Sequence, residues 1–158
     1  MEFQKVINVR RAVRGYKSDP IPEKAMDLMK EAIRRAPTGN NHQSFKVVFV
    51  RNASLRMQIA EKACHQAFIS EAPVIAVVFS EKGHEFNAAI VTDHMVLAAT
   101  SEGIGTCWVG WFEREIIESL FPQYNDMVPC ILVPMGYAND VAEDKPRKSM
   151  DEIVVVID

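Results

Sequence analysis

The stretch PVIAVVF, residues 73–79, contains no polar side chain and is rich in β-branched residues. A short apolar run that opens with proline predicts a buried β-strand. A buried strand requires other elements packed against it. The rest of the chain is therefore expected to surround a sheet that contains this strand.

Two similar runs predict further strands, FKVVFV at residues 45–50 and PCILVPMGY at residues 129–137. GTCWVGW, residues 105–111, is expected to be extended. The terminal run IVVVI, residues 153–157, is too apolar for an uncovered chain end, and pairing with the sheet of a second subunit would cover it.

The spacing of apolar residues predicts helices between these runs. The first predicted helix carries Phe3, Val6 and Ile7 and ends near the arginines, and the others cover residues 22–36, 53–68, 86–102 and 113–121. Gly103 suits the end of the fourth, central helix, which carries Ala89, Ile90, His94, Leu97 and Ala98 near one stripe. The alternation of helices with strands indicates a sheet packed against helices in an α+β or α/β layer arrangement.

Length and composition fit one domain spanning residues 1–158. The net charge of -3 disfavours nucleic acid as the main partner. MEFQKVINVRR lacks the apolar core of a signal peptide, and no apolar run reaches the ~20 residues of a membrane span, so a cytoplasmic location is expected. The three cysteines and four histidines show no ligand spacing, so neither a disulfide framework nor a metal site is predicted.

Familiar nucleotide-binding and hydrolase motifs do not occur in the sequence. GIGTCW has Trp108 where the dinucleotide-binding pattern needs a third glycine. Neither a G-x-x-x-x-G-K-S/T loop nor a G-x-S-x-G elbow is present. Cys107 would need a base to act as a nucleophile, and none can be assigned from spacing, so a packed thiol beside Trp108 is the favoured interpretation.

NVRRAVRGYKSDPIPEKA, residues 8–25, gathers Arg10, Arg11 and Arg14 within five positions. If one helical turn spans them, Arg10 and Arg14 lie on one face. Two guanidiniums on one face suit a phosphate, because each presents a rigid fork of donors. The alternative is a solvated helix end whose arginines complement the terminal carbonyls.

Two more polar segments stand out, the loop TGNNHQ at residues 38–43 and the tail cations Lys145, Arg147 and Lys148. Each alone fits a turn or a solvated tail. Together with the arginines, they supply cations for a phosphate and neutral amides for a polar ring. This is the donor set of a phosphorylated cofactor that carries a heterocycle.

Four segments, in this order, resemble the nitroreductase-like flavoprotein family along nearly the whole chain. They are RRAVRGY (residues 10–16), RRAPTGNNHQSF (34–45), GIGTCWVGWF (103–112) and MGYANDVAEDKPRKSMDEIV (135–154). The resemblance implies a three-layer α+β fold, with a central mixed or antiparallel sheet flanked by helices. It also implies a homodimer with FMN at the subunit interface and a C-terminal strand exchanged with the partner subunit.

The implied activity is that of an FMN-dependent oxidoreductase. NADH or NADPH would reduce the flavin, and a nitroaromatic, quinone or similar acceptor would be reduced in turn by a ping-pong route, with no catalytic side chain required. The alternative is a non-catalytic flavin-binding carrier or redox sensor. The short chain favours it, as do Ala12, Ser44 and Phe45, which stand where the family usually has serine, proline and tryptophan.

The resemblance also assigns cofactor contacts residue by residue. Arg10 and Arg11 would contact the phosphate or ribityl chain, and Arg14 the pyrimidine edge, where its charge would stabilise N1 and O2. The other implied contacts are Ala12 beside the arginines; Pro37, Thr38, Gly39, Asn41 and Gln43 from the partner chain; Thr106, Cys107, Trp108, Val109 and Gly110 near N5; and Lys145, Arg147 or Lys148 at the phosphate. Asp93 falls in the central helix, where the family often has an aspartate.

Overall fold

The computed structural model describes residues 1–143 and 145–157, and these form a four-stranded antiparallel sheet with helices around it. The strands are β1 (Phe45–Val50), β2 (Val74–Ser80), β3 (Gly105–Thr106) and β4 (Val128–Gly136). Their spatial order is β1-β2-β4-β3, and every adjacent pair is antiparallel. The strands predicted near residues 45, 74 and 129 are therefore confirmed, and the sheet is antiparallel rather than mixed.

The described residues also form seven α-helices. They are α1 (Phe3–Val9), α2 (Glu23–Arg35), α3 (Ala53–Gln58), α4 (Phe68–Glu71), α5 (Glu85–Ser101), α6 (Arg114–Leu120) and α7 (Met150–Ile153). The helices α1, α2, α5 and α6 lie within two residues of their predicted bounds. Gly103 follows α5 with a φ of 77°, the left-handed conformation for which glycine is preferred at a helix end.

β2 lies inside the sheet, and all seven of its residues are buried. Its side chains alternate between the two faces of the sheet. Ala76 and Val78 join a core formed with α2 and α5, whereas Val77 and Phe79 join a core formed with residues 59–64 and α6. Helices thus cover both faces, and the predicted three-layer α+β fold is confirmed.

The continuous helix predicted over residues 53–68 is wrong. α3 ends at Gln58, and a π-helical turn follows over Ile59–Cys64. His65 then has a φ of 53°, and α4 begins only at Phe68. The π turn places Ile59, Ala60, Ala63 and Cys64 in the core, each at most 1% exposed. Tertiary burial of this wider turn replaces the regular helix that the spacing predicts.

The stripe predicted on α5 is not the buried face of that helix. Ala88, Val91, Met95, Val96 and Ala99 are buried instead. The residues of the predicted stripe lie beside this buried face and are only partly buried. Three of them, Ile90, Leu97 and Ala98, are large or small apolar residues that would normally be covered. α5 therefore contributes more apolar surface than the core of one subunit covers.

The tail beyond α7 is not part of the sheet. Residues 154–157 form no strand with the other described residues, and each is more than half exposed. The terminal strand of the sequence analysis is thus absent from the described part of this subunit. Its pairing with a partner subunit stays a prediction.

Residues 10–16, called here the arginine segment, run along the β3 edge of the sheet. Val13 N donates to Thr106 O at 2.9 Å, and Asn139 N donates to Gly15 O at 2.8 Å. Because α1 ends at Val9, the prediction that one helical turn places Arg10 and Arg14 on one face is wrong. Backbone pairing with the sheet edge replaces helical hydrogen bonding in this segment.

Gly105 allows the arginine segment to approach the sheet closely. A Cβ atom at this position would lie 2.7 Å from Cγ2 and 3.1 Å from Cβ of Val13. Carbon atoms at such distances overlap, so a larger residue would push the segment away from β3.

We expect Gly105→Ala to lower the free energy of unfolding by about 1–3 kcal/mol, because the added methyl group overlaps Val13. Urea denaturation of the purified protein measures this loss. In a Val13→Ala background, which lacks both Cγ atoms, the same substitution should cost less. An equal cost in the two backgrounds would contradict the steric explanation.

Candidate functional site

The arginine segment and the charged tail line one cavity of about 730 Å³. Arg10, Arg11 and Arg14 contribute to it from the segment, and Lys145 and Arg147 contribute from the tail. Lys148, the sixth predicted cation, is not among the lining residues. Sequence positions more than 130 residues apart are therefore brought together around a strongly cationic cavity.

Asp140 anchors the arginine segment at this cavity. Its Oδ1 atom lies 2.6 Å from Nη2 of Arg11, and its Oδ2 atom lies 3.1 Å from Nη1. Oδ2 also accepts a hydrogen bond from the Arg14 backbone amide at 2.7 Å. One carboxylate thus binds a side chain and the backbone of the same segment.

The Arg11–Asp140 pair is ionised and partly shielded from water. The side chains of Arg11 and Asp140 are 27% and 22% exposed. The guanidinium lowers the pKa of Asp140, chiefly by donating hydrogen bonds to the charged carboxylate. The same hydrogen bonding raises the pKa of Arg11. The pair is therefore a fixed ionic contact at neutral pH.

Arg10 and Arg14 differ from Arg11 in having uncommitted side chains. Within residues 1–143 and 145–157, neither guanidinium makes a hydrogen bond or an ion pair. Both line the large cavity. Their donors are available to an anionic ligand there.

A second cavity, of about 360 Å³, shares Arg10 and Ala12 with the first. Asp93 of α5, Thr106 of β3 and Trp108 complete its lining. The two cavities together follow the arginine segment from the charged tail toward the start of the GTCWVGW stretch. This arrangement suits an elongated ligand with one anionic end.

The backbone amides beyond β3 alternate in direction. Those of Cys107 and Val109 donate to Pro134 O and Leu132 O at 3.3 and 2.9 Å. The amides of Trp108 and Gly110 have no acceptor in the part of the chain that the structure describes. Alternation of this kind is the usual property of an extended strand. Of the five residues implied near N5, Cys107 and Val109 therefore commit their amides to the sheet, and Trp108 and Gly110 have amides without a partner among the described residues.

Cys107 is a buried thiol and not an exposed nucleophile. It is 3% exposed and packs in the core beside α6. Burial raises its pKa, and burial likewise raises the pKa of Cys64 to about 12. Because the thiolate is the reactive form, these surroundings keep both sulfurs unreactive. The structure agrees with the interpretation of Cys107 as a packed thiol.

The loop at residues 38–43 has a strained backbone. Three of its non-glycine residues are left-handed, Asn40, Asn41 and Gln43, with φ of 51°, 58° and 52°. Each such conformation costs on the order of 1 kcal/mol and persists only where the surroundings impose it. Inside the loop, Thr38 Oγ1 accepts a hydrogen bond from Gln43 N at 3.1 Å.

Neither cavity of this subunit is lined by residues 37–43. The predicted contacts of Pro37, Thr38, Gly39, Asn41 and Gln43 were assigned to the partner chain's flavin. That assignment stays a prediction.

A buried polar network holds the strained loop in place. Asn87 Nδ2 donates to Ser44 Oγ at 2.9 Å, and Asn87 Oδ1 accepts from Gly39 N at 3.3 Å. Ser80 Oγ donates to Ser44 O at 3.0 Å. Asn87, Ser44 and Ser80 are each at most 5% exposed. The network thus links the loop to α5 and to the end of β2.

Asp140 and Asn87 are the two site residues that sequence reasoning missed. Asp140 stands among the acidic residues that precede Lys145, where it resembles part of a solvated tail. Asn87 was detectable in principle, because an amide within an apolar helix needs a hydrogen-bonding partner when it is buried. Its partners, however, are far away in sequence and could not be named.

We expect Asn87→Ala to lower the free energy of unfolding by about 1–3 kcal/mol, because it leaves Ser44 Oγ and Gly39 N without their partner. Ser80→Ala is the matched control. It removes a buried hydroxyl, yet Ser44 O still accepts from Glu81 N at 3.1 Å. Urea denaturation should show a clearly smaller loss for the control. Equal losses would mean that Asn87 does not hold the loop.

Two features are absent from the part of the chain that the structure describes. No group of three or more His, Cys, Asp and Glu side chains there could hold a metal ion. Nor does any helix in residues 1–143 and 145–157 combine the length and apolar content that crossing a membrane requires.

Comparison with known sequences gives a match over nearly the whole chain. The family model described as "Putative TM nitroreductase" matches residues 2–158. A protein from Methanothermobacter thermautotrophicus, named "Putative NADH dehydrogenase/NAD(P)H nitroreductase", is 26% identical over 148 residues, which cover 87% of this chain and 78% of that protein. A Bacillus subtilis protein named "FMN reductase (NAD(P)H)" is 26% identical over an alignment of 181 positions, gaps included. The alignment covers 96% of this chain and 72% of that protein.

Solved structures with the same fold extend the comparison. A nitroreductase family protein from Clostridium difficile 630 has a TM-score of 0.86 and 26% identity, and the match covers 98% of each chain. NfrA2 from B. megaterium has a TM-score of 0.90 over 98% of this chain and 74% of that one. At 18% identity, NfrA2 supports the fold alone. The match of the family model from residue 2 to residue 158 establishes that the chain belongs to the nitroreductase family.

Proposed function

We propose that the protein is an FMN-dependent oxidoreductase that takes reducing equivalents from NADH or NADPH. The observation that carries this proposal is the cationic cavity at the arginine segment. There, the cations Arg10, Arg11, Arg14, Lys145 and Arg147 outnumber the two acidic lining residues, Asp140 and Glu143. Family membership and the relatives named FMN reductase and NAD(P)H nitroreductase support the same activity.

The residues around the two cavities fit FMN in charge and in donor type. A phosphate dianion rewards several charge-assisted donors, and the uncommitted guanidinium of Arg10 supplies up to five. A flavin ring is bound by neutral hydrogen-bond donors, and the amides of Trp108 and Gly110, which have no partner among the described residues, are of this type. The second cavity offers space for the ring beyond the phosphate end. Ala12 provides no hydroxyl, so the charged contacts carry more of the binding.

Bound FMN would supply the redox chemistry, by accepting and releasing a hydride equivalent. The chain's own residues would bind and orient it. Arg10, Lys145 and Arg147 would hold the phosphate end. Arg14, held at its amide by Asp140, would present a positive charge that favours the anionic reduced form. No described side chain needs to act as an acid or a base.

The second half of the reaction would reduce a nitroaromatic, a quinone or a similar flat acceptor in a ping-pong sequence. Trp108 supports this part of the proposal, because it lines the second cavity and is 41% exposed. Exposed indoles beside a flavin site suit the stacking of a planar acceptor. A carrier or redox sensor would need no such surface.

We also propose that the active form is a homodimer whose C-terminal strand is exchanged between subunits. The tail residues Val155, Val156 and Ile157 are at least 80% exposed. The partly buried apolar stripe of α5 adds to the surface that one subunit leaves uncovered. Exposed apolar surface of this extent is typical of an interface.

We expect the purified protein to retain flavin absorbance after FMN is added and excess is removed by desalting. NADH or NADPH should bleach this absorbance rapidly in stopped flow, and a quinone or nitroaromatic should restore it. Arg10→Ala should weaken FMN binding by about 10- to 100-fold, because a charged hydrogen-bonding partner of the phosphate is lost. Arg34→Ala, on the surface of α2, is the control and should bind normally.

Two outcomes would contradict this proposal. Full retention of FMN by Arg10→Ala would remove the arginine from the phosphate site. Flavin that binds but is not bleached by either nicotinamide would exclude the oxidoreductase and leave the carrier or redox sensor.

We expect Val156→Asp to convert a dimer into a monomer in size-exclusion chromatography with mass detection, because a charge in an apolar interface is strongly unfavourable. Met57→Asp is the control, since Met57 is exposed on α3 and outside the tail. A monomeric wild-type protein, or a dimer that survives Val156→Asp, would overturn the exchanged tail.

A further inference from the structure

The Arg11 guanidinium is fully occupied at its two terminal nitrogens. Nη1 donates to Asp140 Oδ2 at 3.1 Å and to Ala12 O at 3.3 Å. Nη2 donates to Asp140 Oδ1 at 2.6 Å and to Asp140 O at 3.5 Å. Each nitrogen carries two hydrogens, so these four contacts use all of the terminal donors. Arg11 can offer a ligand little beyond its Nε–H group.

The contacts of Asp140 join the arginine segment to the chain that follows β4. Besides binding Arg11, its carboxylate accepts the amide of Arg14 at 2.7 Å. Gly15 packs so closely on Asp140 that an added Cβ would lie 3.2 Å from the Asp140 Cβ atom. Asp140 therefore fixes the position of the segment beside the cavity in two ways, by hydrogen bonds to Arg11 and Arg14 and by close packing on Gly15.

We propose that Arg11 and Asp140 are a positioning pair that sets the arginine segment, so that Arg10 and the tail cations meet the phosphate while Arg11 itself does not. This inference rests on the proposed FMN function. It reassigns Arg11, because a lining position and a positive charge are not enough when the Asp140 carboxylate and two backbone carbonyls accept from every terminal donor. It also explains why a carboxylate lines a cavity proposed to bind phosphate, because Asp140 binds the arginine segment and not the ligand.

The competing explanation makes the opposite prediction for Asp140. If Arg11 were a phosphate ligand, Asp140 would compete with the phosphate for the same donors. Removal of the carboxylate charge would then strengthen FMN binding. If Asp140 positions the segment, removal of the charge weakens FMN binding. The sign of the change therefore separates the two roles.

The experiment is a fluorescence titration of the flavin-free full-length protein with FMN and, separately, with riboflavin, which lacks the phosphate. The variants are Arg11→Met, Asp140→Asn, the double variant and Arg10→Met as the reference for a direct ligand. Asp140→Asn keeps an amide oxygen that can accept from Arg14 N. Far-UV circular dichroism and thermal melting identify any variant that fails to fold.

We expect Arg11→Met and Asp140→Asn each to weaken FMN binding by about tenfold, in line with the loss of one charged contact. The double variant should lose no more than either single variant, because both changes break the same pair. The ratio of FMN affinity to riboflavin affinity should fall, a change that general loss of stability would not produce. Arg10→Met should lower the same ratio further.

Tighter FMN binding by Asp140→Asn, or no change, would overturn the positioning role. Additive losses in the double variant, or equal losses for FMN and riboflavin, would overturn it as well. If Asp140→Asn does not fold, Arg11→Lys decides the matter. A lysine keeps the charge for a phosphate but cannot bridge both carboxylate oxygens, so near-normal binding would mean direct ligation and a tenfold loss would mean positioning.

A failure of the FMN function itself would look different. The wild-type protein would then bind neither FMN nor riboflavin, whereas a failure of the positioning role leaves wild-type FMN binding intact.

Discussion

The burial of β2 on both faces is the constraint on which the rest of the fold depends. No residue of this strand reaches water, so each face needs its own helical layer. One layer comes from α2 and α5, and the other from the π turn and α6. The sheet has two edge strands, β1 and β3, and the arginine segment lies along β3. The candidate site lies there because the interior and the two faces are already filled.

Backbone pairing at the β3 edge positions the arginine segment without any contribution from charge. Val13 and Gly15 hydrogen-bond to segments that follow α5 and β4, and Gly105 permits the contact to be close. These hydrogen bonds fix the backbone that carries the arginine side chains. Asp140 completes the arrangement by holding one guanidinium, whereas those of Arg10 and Arg14 have no partner among the described residues. A cluster that looks uniform in sequence thus contains groups with different tasks.

Sequence reasoning reached most of the fold because the signals were local. The apolar runs of β1, β2 and β4 and the spacing within α2 each identify an element without reference to the others. It failed over residues 53–68, where tertiary burial favours a π turn that periodicity alone does not reveal. It also left open a helical turn from Arg10 to Arg14, because the pairing of Val13 with Thr106, which excludes this turn, is a contact between distant residues.

For the site as well, residues with a local signal were predicted from the sequence, and residues that act through distant contacts were not. The arginines and tail cations were found because charge is visible in the sequence, and the family resemblance supplied the order of the four segments. The partners of those charges were not found. Asp140 lies 129 residues from Arg11, and Asn87 lies 48 residues from Gly39, so only the fold brings each pair together.

The strained loop at residues 38–43 has a consequence for the thermodynamics of binding. Hydrogen bonds already hold the loop in the folded chain, because Asn41 N and Gln43 N donate to Thr38 and Gly39 N donates to Asn87. A ligand that meets this loop encounters a preorganised surface, so little conformational entropy remains to be lost on association. The unfavourable conformation is formed during folding, at the expense of stability, and the affinity for the ligand is correspondingly spared.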